Sequence, residues 1–135
     1  MFYKIKLRNN KMDRIVDELI GLCVSAAIVG NNGLVWFATP GFYPKTDEFK
    51  NFAKAFDQQS NCVYDGLLFQ NQIYTVTSHN STTIQAVSLN GYMVLKKCQE
   101  CFVFAYDEDK ISYESCKDAV FSLAERIVTN NLDKE

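Results

Sequence analysis

The stretch VSAAIVGNNGLVWFA, residues 24–38, sets two apolar, β-branched runs on either side of Asn31-Asn32-Gly33. An Asn-Gly pair accepts the positive φ angles of a tight turn, so the stretch predicts a β-hairpin. It holds the single tryptophan, Trp36, just ahead of a Thr-Pro-Gly break at 39–41. Immediately upstream, in KMDRIVDELIGLC, Met12, Ile15, Val16, Leu19 and Ile20 recur at i, i+3, i+4, i+7 and i+8. That spacing predicts an amphipathic helix with one apolar stripe.

Downstream of the hairpin, Thr46 is placed to cap a short helix with Asp47 and Glu48 in its first turn. Phe49, Phe52, Ala53 and Phe56 then share one face and are expected to anchor it to a sheet. From Cys62 onward the pattern shortens to strand-like runs at 66–69, 72–78, 82–87, 92–98 and 101–106. The breaks between them, Gln70-Asn71, His79-Asn80-Ser81, Leu89-Asn90-Gly91 and Gln99-Glu100, are too short for parallel crossovers. They predict an antiparallel meander. A last helix follows: Cys116, Ala119, Val120, Leu123, Ala124, Ile127 and Val128 keep helical spacing, with Ser112 as cap and Asn130-Asn131 as stop. The predicted class is α+β. A central antiparallel β-sheet carries the N- and C-terminal helices on one face and the short helix on the other.

The chain of 135 residues is 47% apolar and 22% charged, which fits one globular domain with its own core. A net charge of −2 without a basic stripe argues against nucleic acid. The longest apolar stretch is too short to span a bilayer, and MFYKIKLRNNK lacks a signal-peptide core, so the expected address is the cytoplasm. No heptad or large apolar surface stripe calls for a dimer, and a monomer is expected. The cysteines at 23, 62, 98, 101 and 116 read as free thiols acting as small apolar residues. Cys98-Gln-Glu-Cys101 could be half a zinc site or a redox centre. With His79 the lone histidine and no second pair, it reads instead as two strand ends around a turn. No phosphate loop, Ser-His-Asp set or paired-carboxylate motif is present, so neither catalytic residue, metal nor cofactor is expected.

The order of these elements, from Met12 to Leu132, resembles profilin, the actin-monomer-binding family. AAIVGNNGLVWFATPGF is similar to the family's AAIxGxDGxVWAxSxxF stretch. Gly66-Leu67 followed by Gln72-Ile73-Tyr74-Thr75-Val76 resembles its glycine-led strand pair. Lys96-Lys97-Cys98 falls where profilins often have Lys-Lys-Thr, and Tyr106-Asp107-Glu108 followed by Cys116 resembles the plant-like YDE and its cysteine. The resemblance implies one profilin-like domain at 12–135 behind an N-terminal extension at 1–11.

It also implies three binding surfaces. The actin face carries over to Ile73, Thr75, Ser78, Ala86, Ser88, Tyr92, Lys96, Tyr113, Lys117 and Asp118. Ala86 and Ser88 replace family basic residues, and Tyr92 and Tyr113 are expected as exposed aromatic anchors. The poly-proline platform is degenerate. Met12 and Ile15 stand where the first helix has aromatics, Arg126 stands for one in the last helix, and Trp36 is kept. Phe2 and Tyr3 of the extension are candidate substitutes, or the extension covers the groove. The phosphoinositide patch is weak, since residues 84–91 hold no basic side chain and adjacent Lys96 and Lys97 point to opposite strand faces. The implied function is control of actin polymerisation through monomer binding, with no covalent chemistry. The alternative is a profilin-fold adaptor for a non-actin protein.

Overall fold

A computed structural model describes residues 25–39, 42, 45–57, 59–89, 91–107 and 113–131. The predicted first helix and the extension at 1–11 lie outside the described residues. Seven strands form one sheet: β1 (Ser25–Gly30), β2 (Val35–Ala38), β3 (Leu67–Phe69), β4 (Gln72–His79), β5 (Thr83–Val87), β6 (Tyr92–Lys97) and β7 (Cys101–Asp107). Their order is β2-β1-β7-β6-β5-β4-β3. Every neighbouring pair is antiparallel. Three helices accompany them: α1 (Thr46–Ala55), α2 (Cys62–Asp65) and α3 (Tyr113–Thr129).

The predicted hairpin forms between β1 and β2, with a longer loop than a two-residue turn. Within that loop Gly33 alone has positive φ, at 88°, while Asn32 Oδ1 accepts the Leu34 N–H at 3.0 Å. The two-residue turn is at Gln70-Asn71, where φ values of 51° and 65° join Phe69 to its partner Gln72. Both central residues left-handed is the type I′ pattern, whose twist matches that of the strands. Between β4 and β5, Asn80 Oδ1 accepts the N–H groups of Thr82 and Thr83, each at 2.9 Å. An asparagine side chain thus replaces turn backbone there.

The helices depart from expectation in two places. Lys45, not Thr46, occupies the N-cap of α1, and it makes no side-chain capping bond. Cys62–Asp65, read as the start of the strand region, forms the single turn α2. The last helix ends as expected: Asn130 Nδ2 donates to the Arg126 carbonyl at 2.9 Å, and Asn131 turns left-handed at φ 53°.

The sheet separates two apolar clusters. Cys116, Val120, Leu123, Ala124 and Ile127 of α3 pack on Ala26, Ile28, Tyr92, Val94, Val103 and Ala105. On the reverse face Phe49, Phe52 and Phe56 of α1 meet Phe69, Phe102 and Phe104. The predicted phenylalanine face of α1 is therefore core. Each such side chain removed from water contributes about 1.5–3 kcal/mol. Among the described residues no helix is long and apolar enough to cross a membrane.

Candidate functional site

Strand pairing decides which side chains can act together, because directly paired residues share a sheet face. Val87 pairs with Tyr92, Gln85 with Val94, and Thr83 with Lys96. Tyr92 and Val94 lie under α3, so Gln85, Val87, Thr83 and Lys96 share its face. Thr75 pairs with Val87, and Ser78 with Gln85 across a bulge at Thr77. The α3 face therefore gathers Ile73, Thr75, Ser78 and Lys96 of the expected actin set. Ile73 is 57% exposed.

Two members of the set fall elsewhere. Ala86 pairs with Met93 on the opposite face and is 1% exposed. It is a core residue, since one step along a strand reverses the side-chain direction. Tyr92 is also 1% exposed, which corrects its expected exposure. Its ring lies edge-on beneath Tyr113 with centroids 4.9 Å apart. Ser88 belongs to the β5–β6 turn, where its N–H donates to the Gly91 carbonyl and its Oγ accepts the Gly91 N–H, both at 3.0 Å.

The start of α3 completes the surface. Tyr113 is half-buried, and its hydroxyl donates to Gln85 Oε1. Lys117 Nζ sits 5.4 Å from the Tyr113 ring centroid and 3.0 Å from Glu114 Oε2. Its charge is thus largely answered within its own helix. Asp118 is exposed beside it. One turn along α3, Lys96 Nζ donates to Thr83 Oγ1 at 2.8 Å and lies 5.6 Å from the Phe121 ring centroid. A groove of about 470 Å³ follows, lined among others by Thr82, Lys96, Lys97, Phe121, Glu125 and Val128. Gln85 is the residue that sequence reasoning missed. No motif marks it, and its partner stands 28 positions away in the chain.

Burial holds the Tyr113 phenol above its ordinary value of 10.0, with Lys117 opposing and Glu114 assisting. The neutral form is the one the fold favours, so this contribution to stability is complete below about pH 10 and is lost as pH rises through the folded value. A ¹³C-tyrosine NMR titration is expected to show the Tyr113 phenol, assigned by its loss in Tyr113→Phe, titrating above its ordinary value.

Around the hairpin, Trp36 is 7% exposed and belongs to the α3-side core. A Cβ on Gly30 would stand 2.9 Å from its indole nitrogen, so a side chain there would require a shift of the ring. Arg126 is half-buried on α3. Met12, Ile15, Phe2 and Tyr3 lie outside the described residues. The hollow beside the indole, about 280 Å³, is lined by Gly30, Asn31, Leu34, Trp36 and Glu100. Lys96 pairs with Val103 and Lys97 with Phe102, residues of different clusters, so the two lysines diverge at the strand.

Cys98 and Cys101 flank the β6–β7 turn as expected, with the Cys98 N–H donating to the Cys101 carbonyl at 2.8 Å. Both are buried free thiols in the α3-side cluster. His79 is on the other face, its Nε2 2.7 Å from the Ala55 carbonyl. Among the described residues no group of three His, Cys, Asp or Glu could hold a metal ion. The free-thiol expectation fails at Cys116, which is disulfide-bonded, while Cys62 is free like Cys98 and Cys101.

A family model described as Profilin matches residues 10–132. The chain belongs to the profilin family. Acanthamoeba castellanii profilin IA superposes with a TM-score of 0.78 at 19% identity, covering 87% of this chain and 97% of that one. LokiProfilin1 in its complex with rabbit actin gives a TM-score of 0.72 at 14% identity, covering 93% and 99%. Mouse profilin IIa, bound to a double repeat from the FH1 domain of mDia1, gives 0.66 at 19% identity, covering 85% and 94%. At these identities the likeness is one of fold. This profilin shares the fold of those structures while little of its sequence is shared.

Proposed function

We propose that this profilin binds monomeric actin through the α3 face and thereby regulates polymerisation. The reading places it in the cytoplasm with the cytoskeleton, as a monomer, without cofactor or covalent chemistry. The observation that carries it is the cluster at the start of α3. The Tyr113 phenol reaches Gln85, Lys117 lies against the Tyr113 ring, and Ile73, Thr75 and Ser78 share that side of the sheet, a mixed aromatic and polar surface typical of interface anchors. The family match and the actin-bound LokiProfilin1 support it. Tyr92 supports Tyr113 from below, Ala86 belongs to the core, and Lys96 marks the far end of the surface.

Proline-rich peptide binding is proposed as weakened. The indole of Trp36 is largely covered, and Met12, Ile15 and Arg126 offer no aromatic face. Phosphoinositide binding is proposed as weak or absent, because β5 presents no cation and Glu125 lines the groove that Lys96 and Lys97 border.

Calorimetry with monomeric actin at low and moderate salt is expected to give a saturable one-to-one complex. Lys117→Ala should weaken it only a few-fold, since Glu114 already answers that charge. No complex at concentrations on the order of tens of micromolar would overturn the reading. The internal neutralisation of Lys117 favours a second reading, an adaptor for a less acidic, non-actin protein. That reading predicts stoichiometric recovery of such a partner and no actin.

A further inference from the structure

We infer that Gln85 is a positioning residue that fixes Tyr113 as a rigid anchor for the partner bound on the α3 face. The inference rests on the actin reading above and adds a residue that the family resemblance does not supply. Tyr113 opens α3, and the first turn of a helix is where backbone N–H groups lack intrahelical partners and fraying begins. A tyrosine there would ordinarily turn freely. Here three contacts hold the ring. Tyr92, itself buried, meets it edge-on at 4.9 Å. Lys117 Nζ covers one face at 5.4 Å. The phenol O–H donates to Gln85 Oε1.

Of these, Gln85 alone ties Tyr113 to the middle of the sheet by a directional bond. Its strand is hydrogen-bonded on both sides, to Ser78 of β4 and Val94 of β6. The acceptor therefore belongs to a rigid scaffold while the donor belongs to a helix terminus. Pinning an aromatic anchor before encounter removes an ordering cost from association. It also requires an acceptor, not a cation, at position 85. The cation that the resemblance expects on β5, at position 86, would point into the phenylalanine core in this register.

The test compares Gln85→Met, Gln85→Glu and Tyr113→Phe with the native chain against monomeric actin. Gln85→Met, similar in length but without the acceptor, is expected to weaken binding about fivefold, the scale of one net hydrogen bond or one freed side chain. Tyr113→Phe should match it, and the double variant should lose no more than either alone, as for partners in one bond. Gln85→Glu restores an acceptor and is expected to hold affinity within about twofold at moderate salt, where its added charge is screened. The second readout is the Tyr113 ring in the free protein. Its NMR side-chain order is expected to fall in Gln85→Met, where the bond to the sheet is gone while the Tyr92 and Lys117 contacts remain.

Native-like affinity in both Gln85→Met and Tyr113→Phe, or a Tyr113 ring as ordered in Gln85→Met as in the native chain, overturns the inference. Should Gln85→Met fail to fold, Tyr113→Phe breaks the same bond from the surface side. If the native chain forms no complex with actin, the proposed function fails, and the order of the Tyr113 ring still decides whether Gln85 holds it.

Discussion

Phe104→Ala is expected to destabilise the fold by about 3–5 kcal/mol, the range for emptying a buried phenylalanine site. The ring is fully buried in β7, next to the middle of the sheet. Its centroid lies 5.1 Å from that of Phe49, 5.2 Å from Phe69 and 5.6 Å from Phe52, with Phe42 and Tyr106 at 6.1 and 6.0 Å. Removing it takes one partner from each of those rings, and the neighbours come from α1, β3, β7 and the segment before α1. They cannot close on the void together, because β7 is held in register by both β1 and β6. Urea unfolding should show a lower midpoint at unchanged slope. A loss below about 1.5 kcal/mol would mean that the cluster repacks, contrary to the interlocked ring geometry.

Gly66→Ala is expected to cost about 3 kcal/mol, from backbone rather than side-chain loss. Gly66 joins α2 to β3 at φ 77°, ψ −173°, a region that L residues scarcely enter. A Cβ there would also lie 2.7 Å from the Tyr74 carbonyl oxygen and 2.8 Å from Ile73 Cγ2. The carbonyl is fixed backbone of β4, so no rotamer change relieves the clash. Relief requires β3 to move off β4, and the three-residue β3 has little pairing with which to resist. Hydrogen exchange should therefore accelerate at Leu67–Phe69 before the rest of the sheet, together with a lowered melting temperature. Unchanged exchange in β3 would contradict this account.

The parts of the fold written in repeating patterns were legible. Phe49, Phe52 and Phe56 announce α1 because three large rings at helical spacing must share a face. Asn-rich breaks of two to four residues announce antiparallel pairing. What escaped was anything decided by a single step or a distant partner. Cys62–Asp65 is one helical turn, too short to show a period. Thr46 has the chemistry of a cap, but the helix begins one residue earlier in its geometry, at Lys45. Ala86 and Gln85 are neighbours in a strand with no clean alternation, so hydropathy does not say which faces α3. The register against Met93 and Val94 does. Tyr92 looks like a surface anchor by residue type, and α3 covers it. An odd number of cysteines said nothing against a bonded Cys116.

The division of the interior by the sheet has a consequence for how this protein can change. Among the described residues most of the aromatic mass sits on the α1 side, across the sheet from the surface proposed to meet a partner. Stability of a domain this size is a difference of only about 5–15 kcal/mol, so a surface built into the main core could not vary without risk of unfolding. Here the exposed positions around Ile73, Thr75, Tyr113 and Lys117 can be exchanged one at a time while the ballast on the reverse side stays untouched. Partner preference can drift by small steps through a continuous series of folded intermediates. That insulation offers a physical reason why one sheet can persist among chains that share fewer than one residue in five.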